Sequence, residues 1–133
     1  MITFKEFLNE SYKFSNINSV YWFVDESKTK YAVEFFYDDS KENVEIIFSA
    51  NNTTYKRQDN TPNPVKVFRT IGDILDDNLK KHKVSTLEFT GDKLYASRIK
   101  LYDKLAKRIA SKYNGKLEVT DPDNTRRVYK IKL

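Results

Sequence analysis

The sequence contains no cysteine. That excludes disulfides and thiolate metal sites as sources of order. Glycine and proline occur only three times each in 133 residues. So few chain breakers argue against disorder, even with 32% charged residues. No apolar run approaches the ~20 residues that span a bilayer, and the start lacks the long apolar core of a secretory signal. These absences predict a folded chain made inside the cell, with no membrane partner. The single histidine, His82, stands among lysines at a predicted helix end, where the helix dipole accounts for it. No other residues have metal-ligand spacing, so no metal is expected. Gly72, Gly91 and Gly115 are isolated, so there is no glycine-rich phosphate loop. Asp38-Asp39 and Asp76-Asp77 read as turn or solvent-face pairs. The sequence assigns no catalytic, cofactor-binding or metal-ligating residue, expects no cofactor, and leans away from an enzyme.

What the sequence does contain is aromatic. Nine Phe, nine Tyr and one Trp supply large apolar areas per residue, which offsets a hydrophobic fraction of only 39%. The length suits one domain with one core. The net charge of +5 is uneven: residues 1–64 carry 7 Lys/Arg and 10 Asp/Glu, and residues 65–133 carry 17 and 9. The basic half fits either a solvated lysine-rich surface or an anionic partner such as DNA.

Along the chain, Thr3 is placed to cap a short helix whose Phe4, Phe7 and Leu8 share one face. Too short to persist alone, that helix must dock on its own domain or on a partner. Residues 12–19 read as a polar connector. Val20–Val24, Tyr31–Tyr37 and Val44–Phe48 read as strands joined by short polar turns. Residues 49–64 form a long Asn/Thr/Pro-rich loop, the kind of segment that often carries function. Phe68, Ile71, Ile74, Leu75 and Leu79 predict a helix of about 13–15 residues ending near His82. Val84–Thr90 reads as a strand broken by Gly91-Asp92. A second helix is expected from about Ser97 to Tyr113, with Asn114-Gly115 as its C-cap because glycine tolerates the left-handed conformation. Two alternating strands, 116–120 and 127–133, end the chain. The expected fold is α+β: a mixed, mainly antiparallel sheet of about six strands with two main helices and a short N-terminal helix, in the order α-β-β-β-α-β-α-β-β. The expected divisions are an N-terminal segment 1–11, a connector 12–19 and one domain 20–133.

The second helix carries Arg98, Lys100, Lys104, Lys107, Arg108 and Lys112, largely opposite its leucine stripe. A basic helical face of this kind can follow a phosphate backbone, so DNA contact is one reading and a solvated face the other. The stretch Phe89–Leu105, with its strand followed by Ser97-Arg98-Ile99-Lys100-Leu101-Tyr102, resembles a segment of proteins from tailed bacteriophages. It also resembles the late strand–helix segment of GCN5-related acetyltransferases, and the element order from Val20 onward is similar to that fold. The second resemblance implies a coenzyme A pyrophosphate held on backbone amides before the central helix. In this sequence that place holds Asn60-Thr61-Pro62-Asn63-Pro64-Val65, and its two prolines lack N–H donors.

The start, Met1-Ile2-Thr3-Phe4-Lys5-Glu6-Phe7-Leu8-Asn9-Glu10-Ser11, resembles the capsid-targeting segment of internal head proteins of large contractile-tailed phages. The resemblance implies docking through Phe4, Phe7 and Leu8, then proteolytic cleavage after Glu10. Together these features point to a non-enzymatic phage protein, virion-associated or packaged, that binds a phage structural protein or DNA. Two alternatives stand beside it. One is an acetyltransferase-like fold that binds a nucleotide-type ligand. The other is a host-takeover or counter-defence protein that binds a host protein. The expected location is the virion or the host cytoplasm.

Overall fold

The computed structural model describes residues 11–51, 63–93 and 96–133, without the side chains of residues 51, 92 and 96–98. Seven strands are present: β1 (Ser15–Ile17), β2 (Val20–Val24), β3 (Lys30–Tyr37), β4 (Asn43–Asn51), β5 (Thr86–Asp92), β6 (Lys116–Thr120) and β7 (Arg126–Lys132). Helix α1 (Pro64–Lys81) lies between β4 and β5, and α2 (Ala96–Lys112) between β5 and β6. The strands form one sheet in the order β1-β2-β3-β4-β5-β7-β6. Every neighbouring pair is antiparallel except β4 and β5.

The architecture is α+β as expected, and from Val20 onward the element order is as expected too. The strand count is not. The additional strand, β1, lies in the stretch read as a polar connector. It pairs with β2 through a two-residue turn at Asn18-Ser19, with Ile17 opposite Val20. Asn18 takes a positive φ of 56°, a conformation asparagine tolerates better than most residues. Tyr12 and Phe14 anchor the same stretch. The Tyr12 ring stacks on Phe23 at 5.7 Å, and its backbone N–H donates to Thr70 Oγ1 at 2.9 Å. Phe14 packs on Tyr21. The expected N-terminal helix lies outside the described residues.

Helix α1 starts earlier than its apolar stripe suggests. Asn63 caps it, its Oδ1 accepting from Lys66 N at 3.1 Å, and Pro64 takes the first position, where its fixed φ fits and its missing N–H costs nothing. Strand β5 runs through Gly91-Asp92 instead of breaking there. A Cβ on Gly91 would meet Tyr102 Cδ2 at 2.9 Å and Tyr129 Cε2 at 3.2 Å, so this glycine serves close approach by two rings and not a turn. At the end of α2 the left-handed residue is Asn114, φ 53°, and no described glycine has a positive φ.

Strand alternation divides the sheet cleanly. Tyr21, Phe23, Val33, Phe35, Val44, Ile46, Leu87, Phe89, Tyr129 and Ile131 face one side and are buried with Ile71, Ile74, Leu75 and Ile109 of the helices in one core. Helix α1 covers β2 and β3: Tyr21 Oη donates to Asp77 at 2.8 Å, and Tyr37 Oη to Asn78. Helix α2 covers β5 and β7, where Tyr129 Oη donates to Asp103 at 2.5 Å. Both long helices therefore lie on the same face.

Asp76 departs from expectation. It is buried between the helices because α2 brings Lys112 Nζ to 2.6 Å and Tyr113 Oη to 2.8 Å from its carboxylate. Burial, and then the Asp76 carboxylate, push the Tyr113 phenol up to about 12. Burial also raises the Tyr21 and Tyr129 phenols, each hydrogen-bonded to a carboxylate. An unfolded tyrosine ionises near ~10, so the native state holds these protons more tightly. The stabilisation is complete below ~10 and is lost as pH rises through the folded values. Urea midpoints measured above pH ~10 should fall progressively, and Tyr113→Phe should flatten that fall. Identical slopes for the two proteins would refute the assignment.

Candidate binding face

The second face of the sheet carries neither of the two long helices. Register places its side chains in rows. Ile17 lies opposite Val20, Val20 opposite Glu34, and Glu34 opposite Ile47. Two residues further along β3, Phe36 lies opposite Glu45, Glu45 opposite Glu88 across the parallel pair, and Glu88 opposite Lys130. Several large apolar side chains on this face are exposed, among them Ile17 at 64%, Phe36 at 49% and Ile47 at 45%, with Val20 and Val24 nearby. Lys30 Nζ sits 5.5 Å over the Trp22 ring. At the Phe36 end the face dips into a concavity of about 460 Å³ lined in part by Phe36, Asn43, Glu45, Thr86, Glu88 and Lys130. Glu34, Glu45 and Glu88 have no ion pair or side-chain hydrogen bond among the described residues.

A second place of interest is where β4 and β5 part. Their pairing ends at Ile46 and Phe89, although both strands continue, β4 alongside β3 and β5 alongside β7. Diverging strand ends above a helix start are a common ligand position in sheets with parallel strands. Here aromatic rings fill the gap. Phe48 meets Phe89 at 5.4 Å, Tyr102 meets Phe48 at 5.9 Å and Phe68 at 5.0 Å, and Tyr129 stacks on Phe89 at 4.9 Å. The adjoining start of α1 is poor in free donors. Pro64 has no N–H, Lys66 N is held by the Asn63 side chain, and Val67 N donates to the Asn63 carbonyl. A pyrophosphate cradle needs several convergent amides, and among the described residues this helix start does not supply them. Most of the 49–64 loop lies outside the described residues.

The basic residues of α2 divide between two surroundings among the described side chains. Arg108 and Lys112 turn toward α1: Arg108 Nη2 is 3.3 Å from Asp73 Oδ1, and Lys112 pairs with Asp76. Lys100, Lys104 and Lys107 are exposed on the helix side away from the sheet. The Arg98 side chain lies outside the described residues, as do Phe4, Phe7, Leu8 and Glu10 of the expected docking segment. Sequence reasoning missed the open-face residues. Glu34 and Phe36, like Glu45 and Ile47, stand two apart in the sequence, but only strand register shows that the two pairs adjoin.

Among the described residues, no helix is long and apolar enough to cross a membrane, and no group of three or more His, Asp or Glu could hold a metal ion. No protein-family model matches the sequence, and neither does any curated protein. Among solved structures, the chain is similar to a crystal structure of a protein provisionally assigned as a phosphinothricin N-acetyltransferase. The identity is 14%, the match covers 89% of this chain and 71% of that one, and the TM-score is 0.41. At that score the likeness carries no argument about activity.

Proposed function

We propose that this chain is a non-enzymatic binding protein that holds a protein partner on the open face of its sheet. The observation that carries this reading is one-sided cover: both long helices pack on one face, while Val20, Val24, Phe36 and Ile47 stand exposed on the other. Exposed apolar side chains grouped on one sheet face, as Ile17 is with Val20 and Phe36 is diagonally with Ile47, are typical of interaction surfaces. The ring-filled gap between β4 and β5 and the donor-poor start of α1 further favour binding over coenzyme A chemistry. The resemblance of residues 1–11 to capsid-targeting segments, with that of Ser97–Tyr102 to a phage protein segment, supports a phage protein packaged in or attached to the particle.

Two measurements test this. A Phe36→Ser/Ile47→Ser variant should keep the fold, because both side chains are already exposed, and should lose the proteins that the native chain retains. Retention of the same set by both would overturn the open face as the binding surface. Mass spectrometry of purified phage particles should detect the protein, and its absence would overturn packaging.

A further inference from the structure

The open face is not uniformly apolar. Glu34 sits between Val20 and Ile47, and Glu45 sits beside Phe36. Since side chains two apart on a strand share a face, Glu34 and Phe36 on β3 meet Ile47 and Glu45 on β4 in a checkerboard. Glu88 adds a third carboxylate directly opposite Glu45, a like-charge pairing that a sheet ordinarily avoids. No cation relieves it within ion-pair distance among the described residues. Lys130 stands opposite Glu88 on β7 without forming an ion pair with it, Lys30 lies over Trp22, and Lys132 pairs with Glu118 at 3.5 Å.

This arrangement constrains what can cover the face. A partner that buries Phe36 and Ile47 must also remove Glu34 and Glu45 from water. Burying an unpaired carboxylate is costly, so an apolar or acidic cover loses what the apolar contact gains. A second copy of this chain meeting the same face would set carboxylates against carboxylates. Nucleic acid would bring more negative charge. A cover with cations set between its own apolar side chains satisfies both kinds of square.

We propose that the open face docks a basic polypeptide segment in which lysine or arginine alternates with apolar residues, with a cationic side chain received between Glu45 and Glu88. This rests on the open-face reading above and adds to it the chemistry of the partner. The concavity at that point, lined also by Phe36, Asp38, Asn43, Thr86 and Lys130, gives such a side chain room on the Glu45 side, away from Lys130, which stands opposite Glu88.

The test uses fluorescence anisotropy of a short synthetic peptide alternating arginine and leucine, titrated with the full chain. Control peptides replace every arginine by glutamate or every leucine by serine. Binding should be lost with both controls and should weaken as salt rises. Glu45→Gln/Glu88→Gln should weaken it about tenfold or more, and Glu45→Asp should restore most of the loss where Glu45→Gln does not. Circular dichroism melts should show each variant folded. If Glu45→Gln/Glu88→Gln binds like the native chain while Phe36→Ser/Ile47→Ser does not, the cationic preference is overturned and the open face stands. If neither variant alters binding, both fall. A dimer seen in sedimentation without peptide, and lost in Phe36→Ser/Ile47→Ser, would make a second copy the occupant and overturn the proposal.

Discussion

Phe89→Ala is expected to cost about 3–5 kcal/mol and to lower the thermal midpoint by roughly 10–20 °C for a domain of this length. Phe89 is fully buried and belongs to both halves of the molecule. It is the last residue of β5 paired with β4, opposite Ile46, and it faces Tyr129 on β7. Its ring also touches Phe48 and stacks on Tyr129. Truncation would leave a hole that cannot easily close, because Ile46, Tyr129 and the backbone on either side are held by the sheet ladder. The lost area and the residual cavity therefore both count. A calorimetric midpoint within a few degrees of the native value would show that the junction of β4 and β5 is loosely packed, contrary to this account.

Asp76→Ala is expected to destabilise by about 1–3 kcal/mol. The carboxylate accepts from Lys112 and Tyr113 and lies 3.7 Å from Arg108. These contacts join the last turn of α2 and the residue after it to the C-terminal half of α1, so the loss acts on the helix–helix seam and not on one side chain. The Asp76 side chain is 11% exposed and that of Lys112 is 47%. The lysine can therefore rehydrate once its partner is gone, which keeps the cost below that of a fully buried pair. The Tyr113 hydroxyl is less free to find water. A double-mutant cycle of Asp76→Ala with Lys112→Met, followed by chemical denaturation, should give a coupling of roughly 0.5–1.5 kcal/mol. Additivity of the two changes would remove the ion pair from the account and leave only the tyrosine contact.

The parts of this molecule that were legible in the sequence are those whose signal is local. Val20–Val24 and Tyr31–Tyr37 are β-branched and aromatic with polar turns between them, and they are strands. The apolar spacing from Phe68 to Leu79 is a helix. Elsewhere tertiary contacts override the local signal. Gly91 looked like a break, but tertiary packing of Tyr102 and Tyr129 over it keeps it in the strand. Ser15–Ile17 looked like a polar linker, but pairing with β2 makes it a strand despite its composition. Asp76 read as a solvent residue because its partners Lys112 and Tyr113 are some 36 and 37 residues away. The candidate binding face was the least legible of all. Glu34, Phe36, Glu45, Ile47 and Glu88 come from three strands, and their adjacency depends on register.

By itself the sequence determined the kind of molecule: an α+β chain with an aromatic core and without thiol chemistry. Periodicity and composition act over a few residues, and this is the range over which backbone preference and amphipathic faces are decided. The tertiary structure alone decided which residues meet. It placed both long helices on one side, filled the gap beyond Ile46 and Phe89 with rings, and left two carboxylates, Glu34 and Glu45, interleaved with apolar side chains on the other side. Contacts of that kind depend on strand order and register, which are chosen by the packing of the whole core and leave no mark in any short window of sequence.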